Sequence, residues 1–329
     1  MTTFKEIRGT AVQSVSTDPS NPESGQLWYN NSIGVLKGYQ SIGGAWASGG
    51  SLSTARQIMG SAGTQTAGLG FGGYTAAPSN TNATEEYDGS AWSGGGNMGT
   101  GRRSLGGAGT QTAGLGFSGQ PTNGVATVTN ATEEYDGSAW TGGGNMGTAR
   151  YLLAGCGTQT AGLGFGGYVE SGGNKNNTEE YDGSAWTTGG NLATARRSLS
   201  GCGIQTSALA FGGYTTAATN DTEEYDGSAW TAGGNMGTAR YSLGGAGTQT
   251  AGLAFGGFDG TSNFSATEEY NGTSWTASTA LTTARRGLRG AGIQTAGLAI
   301  GGRTTVAVAN TEEYTNPTFA VRTITTSTS

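Results

Sequence analysis

The sequence contains no histidine, only two cysteines and five prolines, and 12% of its 329 residues are charged. Histidine is the usual general base and the commonest zinc ligand, so its absence excludes catalytic triads and most zinc sites. Any acid–base centre would have to be made from carboxylates with displaced pKa values. Cys156 and Cys202 occupy one repeat position, where other copies carry Ala62, Ala108, Ala246 and Ala291. A cysteine that exchanges with alanine reads as a small buried residue rather than a disulfide partner or a metal ligand. A net charge of −6 with few Lys and Arg argues against nucleic acid as a partner. No apolar run reaches the roughly 18 residues of a membrane-spanning helix. The opening Met1-Thr2-Thr3-Phe4-Lys5 is not the start of a conventional secretory signal.

Glycine is what the chain has in excess, at 65 residues. The glycines stand at fixed offsets beside Leu, Phe, Tyr and Trp, which argues for order, because disordered chains lack aromatics. Six copies align on Arg56, Arg102, Arg150, Arg196, Arg240 and Arg285. Each Arg lies ten residues after a Trp (46, 92, 140, 186, 230, 275) and nine before a Gln (65, 111, 159, 205, 249, 294). Tyr87, Tyr135, Tyr181, Tyr225 and Tyr270 each precede their Trp by five residues. Only the Gln-to-Tyr interval varies, as 22, 24, 22, 20, 21 and 20 residues. Four short strands are expected per copy: one after Arg, one alternating as in Leu69-Gly70-Phe71, one over Thr-Glu-Glu-Tyr and one from Trp. Asp-Gly between the last two predicts a tight turn. Four antiparallel strands repeated six times predict an all-β, six-bladed β-propeller.

The Gly-Gly doublet, then Tyr and Trp, then Thr-Ala-Arg opening the next unit resembles the kelch repeat of kelch and galactose-oxidase-type propellers, over about residues 46–315. The Tyr-to-Trp interval is one shorter than in that family, and the doublets read Ser118-Gly119 in the second copy and Ile300-Gly301-Gly302 in the sixth. The copper site of the oxidase depends on His and is excluded. The sixth copy has Thr311-Glu312-Glu313-Tyr314 but no Trp after it, while Trp46 stands alone before the first Arg. The fold is therefore expected to be closed by the N-terminal strand, with Trp46 favoured over Phe319 as the residue that completes the sixth blade. The expected domains are an arm with a β-hairpin at 1–45 and the propeller at 46–329, including the C-terminal tail. Pro19 to Trp46, with its Asn-rich turn, resembles a segment of tail-associated and appendage proteins of tailed bacteriophages. That resemblance implies a virion protein whose partners are other virion proteins and a host-surface glycan; a non-viral kelch-like or lectin-like scaffold is the alternative.

The Glu-Glu pairs are the most tempting carboxylates, but they recur in every copy and adjacent strand residues face opposite sides. A catalytic pair would be unique and convergent, so these are expected to pair with the repeated Arg, and neither an enzyme nor a cofactor is expected. A variable face on a rigid frame is where recognition is usually found. Tyr74, Asn82, Tyr168, Lys175, Tyr214, Asp221, Phe258, Asp259 and Arg303 are the candidate ligand-binding residues there. Arg289, where other copies carry small residues, is expected to project into the central channel.

Overall fold

The computed structural model describes residues 12–20, 22, 26–40, 44–76, 79–121, 127–316 and 320–324. These residues form strands and turns with no helix among them. Two compact units result, one of residues 1–44 with 316–329 and one of residues 45–315.

In the smaller unit, Leu27–Asn30 and Val35–Gln40 form the expected antiparallel hairpin, turning through Asn31 to Gly34. Gln13–Val15 adds in parallel to one edge and Ala320–Thr323 antiparallel to the other. The C-terminal strand, expected with the repeats, thus pairs with the hairpin instead. Fully buried Trp28 donates its indole N–H to Asp18 (3.1 Å), which also binds Asn30 (2.8 Å) and Lys37 (2.5 Å). Lys37 foremost, then Asn30 and Trp28, holds the Asp18 carboxyl down at about 2.

The larger unit is a β-propeller-like array of six four-stranded antiparallel sheets. In the first, Gly60–Gly63 pairs with Gly68–Phe71, then Thr84–Tyr87, then Trp92–Gly94. The next four repeat this order. The sixth runs Arg289–Ile293, Ala296–Ile300, Thr311–Thr315 and then Ala45–Ser48, which puts Trp46 opposite Tyr314. Phe319, the competing residue, lies outside the described residues. Asp88 shows why Asp-Gly turns the chain: its Oδ1 accepts the N–H groups of Ser90 and Ala91, and Gly89 takes φ +91°.

Apolar packing lies between successive sheets. Phe71 of the first meets Trp140 of the second at 4.8 Å, and Phe117 meets Trp186 at 4.8 Å. Buried Cys156 and Cys202 belong to these layers as free thiols. Each Trp indole also donates to a threonine one sheet back, as Trp140 does to Thr84 (2.8 Å) and Trp92 does to Thr311 (2.9 Å).

The two glutamates of each pair divide the polar work, as strand alternation requires. The first meets the buried repeat Arg: Glu85–Arg56 at 2.7 Å, Glu133–Arg102 at 2.9 Å, Glu179–Arg150 at 2.5 Å, and likewise through Glu312–Arg285. Its other oxygen accepts a backbone N–H, as Glu85 does from Ser53 (2.7 Å). The second accepts the tyrosine hydroxyl of the following sheet. Tyr135 donates to Glu86, Tyr181 to Glu134 and Tyr225 to Glu180, each at 2.5 Å, and Tyr87 donates to Glu313 of the sixth sheet.

Burial first, and the adjoining glutamate second, pushes the phenols of Tyr87, Tyr135, Tyr181, Tyr225 and Tyr270 up to about 12. An unfolded tyrosine ionises near 10. Folding thus favours the neutral phenol, and that stabilisation is complete below pH 10 and lost as pH rises from 10 through about 12. Tyrosinate absorbance should therefore appear late and together with unfolding. Titration of these tyrosines near pH 10 in a folded protein would contradict this.

Candidate functional site

The six inner strands converge, and small residues are required where they meet. A Cβ on Gly107 would lie 2.6 Å from the Ser61 carbonyl oxygen, and one on Gly290 would lie 2.2 Å from that of Gly245. Just before these strands a circuit of backbone hydrogen bonds links one residue from each sheet. Ser104 N–H donates to Ile58 O (2.7 Å), Leu152 to Ser104 (2.9 Å), Ser198 to Leu152 (2.8 Å), Ser242 to Ser198 (2.8 Å), Gly287 to Ser242 (2.7 Å) and Ile58 to Gly287 (2.7 Å). All six have positive φ, from +47° at Ile58 to +63° at Gly287. For the five that are not glycine this conformation costs energy, about 1–2 kcal/mol each, and the N–H···O bonds offset it.

Around this circuit runs a belt of large side chains. In every sheet the residue after the repeat Arg bridges the residue after the glycine doublet: Gln57 and Tyr74, Arg103 and Gln120, Tyr151 and Tyr168, Arg197 and Tyr214, Tyr241 and Phe258, Arg286 and Arg303. Neighbouring sheets then stack these pairs. The Arg103 guanidinium lies 4.6 Å from the Tyr74 ring centre, and Arg286 lies 3.9 Å from that of Phe258. Arg197 is held between Tyr168 (4.6 Å) and Tyr214 (4.8 Å), while Tyr241 bridges Tyr214 and Phe258 edge to face.

The belt has approximate threefold character. Odd sheets supply an aromatic ring and an asparagine, and even sheets supply the arginine. Asn174 donates to Tyr214 O and Thr215 O and accepts from Arg197 (3.2 Å). Asn263 repeats this with Thr304 O (3.1 Å) and Arg286 (3.3 Å). In the first pair Asn80 donates to Gln120 O (2.8 Å), but its buried Oδ1 has no partner and Arg103 turns to Gln120 Oε1 (3.1 Å). Arg103, Arg197, Arg286 and Arg303 form no ion pair among the described residues. These half-buried cations are fixed in direction by rings and amides rather than by a direct ion pair, an arrangement suited to receiving an acidic group. In the same neighbourhood Glu170 accepts the Tyr151 hydroxyl (2.5 Å).

The residues expected from sequence divide accordingly. Tyr74, Tyr168, Tyr214, Phe258 and Arg303 belong to the belt. Asn82 instead donates to Met98 O (3.0 Å), as Asn130, Asn176 and Asn220 do in their copies, so its amide braces the frame. It also borders an open depression of about 560 Å³ with Ser79, Asn80, Thr100 and Pro121. Asp221 gives its backbone carbonyl to Arg196 (2.8 Å), and Lys175 is half-buried near Gly172. Asp259 caps its own exposed turn, where the N–H groups of Ser262 and Thr261 lower its carboxyl pKa. Arg289 lines the central cavity. Arg103, Arg197, Arg286, Tyr151 and Tyr241 were missed from sequence. Their signal was a column of large polar and aromatic residues directly after an invariant Arg.

The class that these features define is an all-β, β-propeller-like repeat protein. No known protein family matches the chain, and no curated protein matches it with significance.

Proposed function

We propose that the larger unit is a kelch-like six-bladed propeller closed by its N-terminal strand, and that it binds an acidic glycan on the host surface through the arginine–aromatic belt. The observation carrying this reading is the set of three arginines fixed over aromatic rings at equivalent places with no carboxylate partner. Aromatic faces and amides suit sugars, and guanidinium groups add preference for carboxylate or sulfate substituents. The likeness of residues 19–46 to tail-associated segments supports a role in a phage virion, as a tail fibre, tail-tip or capsid decoration protein. Other virion proteins are then its structural partners.

Glycan-array binding should favour acidic over neutral glycans. Arg197→Ala with Arg286→Ala should weaken it about a hundredfold or more, because each charge-assisted hydrogen bond contributes about 1.5–3 kcal/mol. Equal binding of neutral glycans, or an unaffected double variant, would overturn the ligand assignment. Mass spectrometry of purified virions tests the location separately. Acidic-glycan binding by a protein absent from virions would favour a lectin-like scaffold.

A further inference from the structure

Arg289 opens the inner strand of the sixth sheet, where the other five sheets have Gly60, Gly106, Ala154, Ser200 and Gly244. In those five the residue paired opposite is phenylalanine: Phe71, Phe117, Phe165, Phe211 and Phe255. A Cβ on Gly60, Gly106 or Gly244 would approach that ring to 2.1, 2.2 or 2.3 Å. The sixth sheet alone pairs its residue with Ile300. The missing ring and the long side chain thus fall in the same cross-strand pair.

The side chain turns toward the middle of the ring of strands. Its Nε donates to Met59 O at 2.6 Å. It borders a cavity of about 60 Å³ together with Ser61, Gly107, Gly155, Gly201 and Gly245, one residue from each other inner strand. On one side lies the backbone circuit through Ile58, Leu152, Ser198, Ser242 and Gly287. On the other an opening of about 100 Å³, lined by Gly63, Gly109, Gly157, Gly203, Gly247 and Gly292, provides a way in.

Nothing in this cavity balances the charge. No carboxylate among the described residues pairs with Arg289, and Met59 O is its one protein hydrogen-bond acceptor there. The nearby Ser61 hydroxyl is already committed to Gly290 O at 2.8 Å. Burial holds the guanidinium down to about 10, which leaves it cationic at neutral pH. The six fully buried arginines each have a glutamate, whereas half-buried Arg289 has none. Its guanidinium is left to whatever enters the cavity from solvent, and a partly desolvated charge favours an ion of opposite sign.

We propose that the central cavity beside Arg289 binds one small monovalent anion of halide size. The cavity has room for a halide and accompanying water, and the opening on the glycine-lined side admits a small ion from solvent. This proposal does not depend on the belt or its ligand.

The test compares the whole protein in sodium chloride, sodium bromide and sodium gluconate at equal ionic strength. Gluconate is too large for the cavity. At tenfold saturation the halides should raise the melting temperature by about 3 °C over gluconate. Arg289→Gln, which keeps a hydrogen-bond donor and removes the charge, should abolish that difference. A bromide-soaked crystal should show anomalous density within hydrogen-bond distance of the Arg289 guanidinium. This second measurement uses the unaltered protein, so a poorly folding variant leaves the proposal testable. Water alone at Arg289 in that crystal, or an equal halide response in a folded Arg289→Gln protein, would overturn it.

Discussion

Arg196→Ala is expected to lower the unfolding free energy by about 3–5 kcal/mol. The side chain is fully buried and donates to Gly212 O (3.0 Å), Asp221 O (2.8 Å) and Glu223 Oε1 (3.0 Å). Glu223 keeps its other oxygen on Ala193 N–H (2.7 Å). Two carbonyls and a carboxylate therefore each lose a donor at once, although Asp221 O keeps the Gly212 N–H (3.0 Å). The carboxylate stays where water does not reach it. The magnitude comes from this stranded charge rather than from the attraction of the intact pair, since desolvating both ions cancels much of their Coulomb energy. Burial lowers the Arg196 pKa, with Glu223 opposing, which shows the same competition. Replacing both partners, as Arg196→Met with Glu223→Leu, should accordingly cost less than Arg196→Ala alone. Urea unfolding of the three proteins decides the matter. A single variant as stable as the parent, or a double variant worse than the single, would show that the pair does not work in this way.

A protein starting at Gly49 and ending at Thr315 should aggregate or melt far below one spanning Ala45 to Thr315. The four extra residues are the outer strand of the sixth sheet, and without them Thr311–Thr315 becomes an open edge. They also carry Trp46, 7% exposed, which packs on Phe255 and Tyr314 at 5.0 Å and donates to Thr267 of the fifth sheet at 3.0 Å. Burying a Trp of this kind contributes about 3–5 kcal/mol, comparable with the whole stability of many domains. Trp46→Ala in the full chain should show that part separately. Scanning calorimetry and gel filtration provide the readout. Equal melting of the two fragments would mean that the strand is dispensable to the array.

Much of the frame was legible because it is periodic. Invariant spacing among Trp, Arg, Gln and Tyr reflects side chains that must reach fixed partners, and the Arg–Glu pairing followed from two columns of opposite charge in every copy. The partner of the second glutamate did not follow, since Tyr135 reaches Glu86 across 49 residues of chain. Tyr-to-Glu contacts between sheets span 49, 47, 45 and 46 residues in successive copies, so no constant interval announces them. Gln111 differs: it donates to Tyr87 O one sheet back across 24 residues, an interval repeated at Gln159, Gln205, Gln249 and Gln294.

The candidate site was only half legible. Of the nine residues proposed on the variable loops, five lie in the belt. Lys175, Asp221, Asn82 and Asp259 lie off it because sequence alone does not say whether a polar loop residue serves a ligand or its own backbone. The arginines of the belt were hidden beside the strongest repeat signal in the chain.

From its order of residues alone, this protein is an all-β repeat with four strands per copy, small residues on the inner strands and Trp46 available to the last sheet. These are local matters of alternation, turn chemistry and spacing. Tertiary structure alone decided that the tail joins the N-terminal hairpin and that Arg103, Arg197 and Arg286 stack over aromatic rings. It also decided that the five non-glycine residues of the backbone circuit take positive φ and that Arg289 borders the central cavity. Each of these depends on which segments meet in space, where a hydrogen bond or a ring on one sets the conformation of another.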